Sequence, residues 1–238
     1  MRSVLVVGID VSAWSGVRLD VLLEGGNRNE VWSGWSPSGR VAIRHSRRAP
    51  ESLGWELDLL SDLAAAGFLV PAPLLTDEGS ASADGVLVQH WIDGREPDSI
   101  EDWTLVASEL RRLHGELVGH RQRPGCRSVT ELDRTACSVD ADLSLLPDAQ
   151  VSIVHGDPGR SNVRITSDGQ VGLLDWDESR VDVVDLDLAN LGAQVLDDDK
   201  HARAMAAAYA WEAANAWTAE PGYARERLAA LRARRSDR

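Results

Sequence analysis

The segment from Val151 to Asp177 constrains the fold more than any other part of the chain, because it combines strand patterns with closely spaced polar residues. It opens with a short strand pattern, and two further strand patterns around a Ser-Asp-Gly-Gln turn predict a hairpin. Asp157 and Asn162 follow the first strand, and Asp175 follows the hairpin. A tight loop after one strand and the end of a hairpin place these three oxygen-bearing side chains on one edge.

Two carboxylates and an amide in this arrangement are parts that phosphoryl transfer requires. One carboxylate receives or orients the proton of an acceptor hydroxyl, while the amide oxygen and the second carboxylate hold Mg²⁺ against the phosphates. Two other interpretations stay open at this point. One is a structural loop beside a solvated turn, and the other is an H-x-D metal hydrolase, although the chain lacks the extra histidines that such a site usually has.

The chain changes character near Asp93-Gly94, a turn pair. The residues before it read as strands with one helix, Pro50–Ala66, whose leucines recur at three- and four-residue spacing. The residues after it read as helices with one embedded hairpin, and from Leu186 onward the chain is rich in Ala and Leu. We therefore predict an α+β fold in two lobes, residues 1–93 and residues 94–238.

Three motifs in the second lobe carry a family resemblance. His155–Asn162 has the form H-G-D-x-x-x-x-N, Leu174-Asp175-Trp176 has the form of an I-D-W segment, and Asp187-Leu188-Ala189 supplies D-L-A. In these motifs the chain resembles the aminoglycoside phosphotransferases, the choline kinases and the type II homoserine kinases. The resemblance implies a protein-kinase-like fold, with a small antiparallel sheet and a helix in the N-lobe and a mostly helical C-lobe.

The same resemblance implies a role for each polar residue of the loop. Asp157 would be the catalytic base, Asn162 and Asp175 would be ligands of Mg²⁺, and His155 would support the loop. The cofactors implied are ATP and Mg²⁺, and the reaction implied is transfer of the γ-phosphate to a hydroxyl of a small molecule.

The first lobe contains weaker matches to the family. Gly25 and Gly26 resemble the glycine-bearing turn over the phosphates, where the backbone must approach phosphate closely. Arg44 stands where many kinases have a lysine, and Glu56 is the expected helix partner of that basic residue. Two alternative interpretations stay open here. In one, the glycines form an ordinary turn without a ligand. In the other, Glu56 is a solvated residue, and Glu51 is then the competing candidate for the partner of Arg44.

The run Val86–Gly94 looks like the hinge of this family, whose backbone groups bind the edge of the adenine ring. By position, the adenine contacts are expected at the carbonyl of His90 and the amide of Ile92. Gln89 is expected behind the ring.

The formal net charge of −13 disfavours nucleic acid and anionic membranes as partners, because both need a positive protein surface. The same charge fits either a cationic acceptor or a solvated acidic surface.

No apolar run approaches the roughly 20 residues of a membrane helix. Val4–Ile9 is too short for the core of a signal peptide. Cys126 and Cys137 indicate thiols in a reducing compartment, so we expect a cytoplasmic protein.

The chain also departs from the family. Pro158–Ser161 replaces the common L-H-P-G, and little chain remains after Ala189 to bind an acceptor, where Trp211 and Trp217 are candidate pocket residues. A catalytically weak nucleotide-binding regulator of the same fold, and an α+β binding protein that is not a kinase, are the alternatives. The acceptor and the oligomeric state do not follow from the sequence.

Overall fold

The structure is a computed structural model that divides into two compact units. It describes residues 9–23, 30–132, 150–192, 195–218 and 220–236. The first unit is Met1–Gly94 together with Thr166–Leu174, and the second is Arg95–Ile165 together with Asp175–Arg238.

The first unit contains an antiparallel sheet with strand order β1-β2-β3-β4. Its strands are β1 (Arg18–Leu22), β2 (Val31–Ser36), β3 (Gly39–His45) and β4 (Val86–His90). The turn between β2 and β3 ends at Gly39, whose φ of 132° is open to glycine but rarely adopted by other residues. One face of the sheet buries Trp14, Val41, Ile43 and Val88, and this cluster is the core on that side.

Helix α1 (Pro50–Ala65) follows the sequence prediction to within one residue. Pro50 occupies the first turn, where backbone N–H groups make no hydrogen bond within the helix, so the missing N–H of proline costs no bond. The leucine stripe is buried, and Leu53 and Leu57 pack against Leu87 of β4. Gly67, with a φ of 80°, follows the last turn.

Residues 166–174 belong to the first unit, although the sequence suggested that they lie with the second lobe. The reason is strand β7 (Val171–Leu173), where Gly172 bridges Leu69 in parallel and the Leu173 amide donates to the Leu69 carbonyl at 3.0 Å. The turn before it closes with a hydrogen bond from the Thr166 amide to the Gln170 carbonyl.

The second unit combines helices with short strands. Its elements are α2 (Ile100–Glu116), a 3₁₀ turn (Val129–Glu131), β5 (Val151–Val154), a 3₁₀ turn (Arg160–Asn162), β6 (Val163–Ile165), β8 (Arg180–Val183), α3 (Asp185–Asn190), α4 (Asp198–Ala216) and α5 (Pro221–Ser236). Strand β8 pairs antiparallel with β5 and was not predicted from the sequence. Helix α2 begins with a capping box between Ser99 and Asp102. The mixture of sheet and helix confirms the α+β prediction.

Trp211 belongs to the core of the second unit and is only 8% exposed. Its Nε1 donates to the Arg127 carbonyl at 2.8 Å, and the Arg180 guanidinium lies 3.5 Å from the ring centroid. These contacts make Trp211 a packing residue and not an exposed wall of an acceptor pocket. Trp217 packs against the same cluster while partly exposed.

Within the ranges that the structure describes, no helix is long and apolar enough to cross a membrane.

Candidate active site

The loop after β5 brings Asp157 and Asn162 into direct contact. The Asn162 Nδ2 donates at 3.0 Å both to the Asp157 carboxylate and to the Asp157 carbonyl. The Asn162 amide closes the turn by donating to the Gly159 carbonyl at 2.9 Å. The nitrogen of this side chain is directed at Asp157, and its oxygen accepts only a long hydrogen bond, 3.4 Å, from the Ser161 hydroxyl. The Asp157 side chain is exposed, as a group that meets a substrate must be.

The backbone of this loop is held by the carboxylate of Asp187, which is fully buried in helix α3. It accepts hydrogen bonds from the His155 amide at 2.7 Å and the Gly156 amide at 2.8 Å, and lies 3.0 Å from the His114 Nε2. Burial raises the pKa of Asp187, but the hydrogen bond and charge of His114 outweigh it, so the pKa lies below its ordinary value. Asp187 therefore serves as an anionic support beneath the loop.

Asp175 has a left-handed backbone, with a φ of 56°, and an exposed side chain. Aspartate adopts this conformation more readily than most residues other than glycine, and residues with a positive φ occur both in turns, as at Asp84, and at functional sites. The next residue, Trp176, is buried against His155 with ring centroids 4.8 Å apart. The segment that carries Asp175 thus lies beside the loop that carries Asp157.

Gly156 makes a second contact between the same two segments. A Cβ atom at this position would lie 2.4 Å from the Glu178 carbonyl oxygen, and φ is 92°. Only a glycine allows the loop to approach this closely.

Arg44 and Glu56 form a buried ion pair in the first unit, where their side chains are 7% and 1% exposed. Glu51, the competing partner, is exposed in the first turn of α1. Arg44 ends the run Val41-Ala42-Ile43-Arg44 on β3. This run matches the V-A-I-K pattern of protein kinases except in its last residue, where arginine replaces lysine. The run is the sequence signal that most directly identifies Arg44 as the residue in the position of that lysine.

The predicted hinge contains a cavity of about 330 Å³, of which Ile92 is a lining residue. Gln89 and His90 do not line it. Gln89 is buried and its Nε2 donates to the Pro71 carbonyl at 2.9 Å, while the His90 amide donates to the Ala72 carbonyl at 3.0 Å. The other predicted nucleotide contacts, Gly25 and Gly26, lie outside the described residues.

Two neighbouring residues that hold the segment after Asp175 were missed from the sequence. The side-chain amide of Gln122 exchanges two hydrogen bonds with the backbone of Val181, at 2.8 and 2.9 Å. Arg123, 1% exposed, donates to the backbone carbonyls of Trp176 and Asp177, both at 3.0 Å. Nothing in the local sequence distinguishes these two residues from their exposed neighbours.

A third missed group lies where α4 meets α5. The Tyr223 hydroxyl donates to Glu212 at 2.8 Å, and the Arg227 Nε lies 2.9 Å from the same carboxylate oxygen. Burial raises the pKa of Glu212, and the negative charges of Asp157 and Glu178 raise it further against the opposing effects of Tyr223 and Arg227.

The side-chain oxygens of Asn162 and Asp175 are of the chemical kind that Mg²⁺ takes as ligands. Within the described residues, no group of three or more His, Cys, Asp or Glu side chains forms a cage for a metal ion. Mg²⁺ usually takes one or two carboxylates and completes its octahedron with phosphate and water oxygens. The Asp175 carboxylate and the Asn162 amide oxygen are hard ligands of that kind.

Comparisons with known proteins agree with this geometry. A family model described as the phosphotransferase enzyme family matches residues 21–229. No curated protein matches the sequence.

Several solved structures have a similar fold and are distant in sequence. They include choline kinase LicA from Streptococcus pneumoniae, with TM-score 0.63, 16% identity and coverage of 93% of both chains. Macrolide 2'-phosphotransferase MphH from Brachybacterium faecium gives TM-score 0.61 and 16% identity, and the match covers 91% of this chain and 94% of that one. The complex of APH(2")-IIa with streptomycin and ATP gives TM-score 0.59 and 12% identity, covering 90% and 91%. These similarities confirm the protein-kinase-like fold.

Proposed function

The chain belongs to the phosphotransferase enzyme family, and on that premise we propose that it transfers the γ-phosphate of ATP to a hydroxyl of a small molecule. The observation that carries the proposal is the contact between Asp157 and Asn162 in an exposed loop whose backbone is held by Asp187. Catalysis of this kind depends mainly on positioning and on charge neutralisation, so a rigid loop is what the reaction needs.

Asp157 is the proposed catalytic base. Its carboxylate is exposed and would accept the proton of the acceptor hydroxyl as that oxygen attacks the γ-phosphorus. The hydrogen bond from Asn162 limits the rotation of the carboxylate and keeps one oxygen directed at the loop. The other oxygen would then be available to the acceptor hydroxyl.

Asn162 and Asp175 are the proposed ligands of Mg²⁺. The side chain of Asn162 is held by the contact of its nitrogen with Asp157, and Asp175 is exposed at the end of the hairpin. Mg²⁺ bound to these residues would neutralise phosphate charge that otherwise repels the incoming hydroxyl.

Arg44 and the hinge are the proposed contacts of ATP in the first unit. Glu56 holds the Arg44 guanidinium, which would bind phosphate oxygens as the lysine of other kinases does. Arginine binds phosphate in a bidentate manner, so the residue is suited to this role although it is not equivalent to lysine. The backbone at His90 and Ile92 would contact adenine, with Gln89 behind it. Gly25 and Gly26 would cover the phosphates.

A cationic alcohol is the first class of acceptor to test. Asp157 is exposed and the formal net charge of the chain is −13, so a positive charge on the acceptor would be favoured there. One of the similar structures is a choline kinase, in line with this choice.

An ATP-consumption screen over amino alcohols, aminoglycosides, nucleosides and sugars tests the proposal. We expect Mg²⁺-dependent turnover with at least one acceptor class and a loss of roughly 10²- to 10⁴-fold in kcat for Asp157→Ala. Calorimetry should show that Asp157→Ala still binds Mg·ATP and that Asp175→Ala binds it more weakly than the wild type. Asp168→Ala, in the turn closed by Thr166 and Gln170, is the matched control and should behave as the wild type.

The outcomes separate the possible roles of the chain. Binding of Mg·ATP without turnover on any acceptor would indicate a regulator that kept the fold. Absence of Mg·ATP binding would contradict the proposal altogether. Full turnover by Asp157→Ala would contradict only the assignment of Asp157 as the catalytic base and would leave the proposed phosphotransferase activity standing.

A further inference from the structure

Arg123 lies in the loop after α2, and its buried guanidinium is surrounded by carbonyl oxygens. The Nη1 is within hydrogen-bond distance of the carbonyls of Trp176 and Asp177 at 3.0 Å and of Ser179 at 3.3 Å. It also lies 3.3 Å from the Ser179 hydroxyl, which itself donates to the Trp176 carbonyl at 2.6 Å. Three carbonyls within four residues therefore point at one nitrogen.

Such a convergence needs a strong donor. Carbonyl dipoles that point at one another repel, and each buried carbonyl left without a donor costs about 1–3 kcal/mol. A guanidinium supplies several N–H groups in a fixed planar arrangement together with a positive charge, whereas a lysine supplies a compact ammonium on a shorter reach. The Ser179 amide also closes this bend by donating to the Trp176 carbonyl at 3.1 Å, and Arg123 adds a charged donor that the carbonyls of residues 176, 177 and 179 share.

The residue directly before this bend is Asp175, with its left-handed φ of 56°. A positive φ is uncommon outside glycine, and contacts made by the residues that follow help to hold it. The carbonyl of Trp176, the next residue, is one of those that Arg123 holds. On the other side of the bend, the backbone of Glu178 lies against Gly156. The Arg123 guanidinium thus holds the segment that follows the proposed metal ligand Asp175, and the same segment lies against the loop that carries Asp157.

We propose that Arg123 is a positioning residue for the proposed metal ligand Asp175, which it orients through the carbonyls of residues 176, 177 and 179. The inference rests on the proposed function, because it assigns Arg123 a task in binding Mg·ATP. A residue that only stabilised the fold would affect the unfolding temperature and leave the effect of Mg²⁺ on ATP binding unchanged.

The test measures how much Mg²⁺ tightens ATP binding in the full chain. Calorimetric titrations with ATP are run with Mg²⁺ and with EDTA for the wild type, Arg123→Lys, Arg123→Ala and Arg112→Lys. Arg112 is the matched control, because it pairs with Glu109 on the surface of α2, at 2.6 Å, and is 37% exposed. Residues that orient a metal ligand typically change metal affinity by about 10- to 100-fold when they are replaced.

We expect the tightening by Mg²⁺ to fall about tenfold or more in both Arg123 variants, while ATP affinity in EDTA stays within about twofold of the wild type. Arg112→Lys should match the wild type in both titrations. Hydrogen exchange of the amides of residues 176–181 should be faster in Arg123→Lys than in Arg112→Lys. If Arg123→Ala does not fold, Arg123→Lys, which keeps the charge and most of the volume, decides the question.

Two results would overturn the inference, and they are distinguishable. If the wild type shows Mg²⁺-dependent binding and Arg123→Lys shows the same tightening, Arg123 does not position the metal ligand, whatever its effect on the unfolding temperature. If the wild type itself shows no Mg²⁺-dependent ATP binding, the proposed function fails and this inference fails with it.

Discussion

Replacing Gly156 by alanine is the most direct test of how tightly the two loops are packed. The new Cβ would lie 2.4 Å from the Glu178 carbonyl oxygen and 2.7 Å from its carbon, so one segment must move by about 1 Å to reach ordinary contact. The His155 and Gly156 amides are bound to Asp187 and resist that movement. A left-handed φ for alanine costs about 1–2 kcal/mol, and overpacking adds about 1–3 kcal/mol.

The sum predicts a loss of about 2–5 kcal/mol in the free energy of unfolding, a large share of the 5–15 kcal/mol of a typical domain. Gly119→Ala is the control, because Gly119 has a φ of 82° in the same unit and nothing within 4 Å of its added Cβ. It should lose only the backbone part, about 1–2 kcal/mol. Urea denaturation of the two variants, followed by circular dichroism, measures the difference. Equal losses would refute the close approach of the loop to Glu178.

Three further predictions concern carboxylates that are buried or that cap a helix. Glu56→Ala should lower the free energy of unfolding by about 3–5 kcal/mol, because it leaves a buried guanidinium without its partner, whereas Glu51→Ala should stay within about 0.5 kcal/mol in the same urea assay. The hydrogen bond from Arg95 and those from two backbone amides hold the pKa of Asp102 well below its ordinary value. The stability advantage of the wild type over Asp102→Asn should therefore be complete above about pH 4 and be lost as the pH falls further, and a constant advantage down to strong acid would contradict the cap. Asp187→Asn should cost about 1–3 kcal/mol, because its amide nitrogen would face a backbone N–H, and unchanged unfolding would show that the loop does not depend on this carboxylate.

Local sequence predicted those parts of the site whose residues are neighbours in the chain. The spacing of Asp157 and Asn162 spans a single turn, so the contact between them follows from the loop itself. The hairpin turn before Asp175 and the leucine stripe of α1 were likewise readable, because turn chemistry and helical periodicity are local properties.

The supports of the site depend on contacts between distant residues and were not readable in this way. Arg123 acts on carbonyls more than 50 residues away, and carbonyls carry no sequence signal. Strand β8 is only four residues long, and its polar residues Arg180 and Asp182 pair with each other in a buried position, so the sequence pattern does not show which face of the strand is buried. Trp211 could not be assigned to the core or to a pocket until its partners Arg127 and Arg180 were known.

The support from Asp187 has a consequence for the order of folding. The carboxylate that shapes the amides of His155 and Gly156 is encoded 32 and 31 residues after them, in helix α3. A nascent chain that has emerged only as far as Asn162 contains the whole signature motif but lacks the anion that gives it shape. We expect the loop to reach its native conformation only when α3 docks, late in synthesis. A contact between residues this far apart in the chain forms only after the entropy cost of closing the intervening loop has been met.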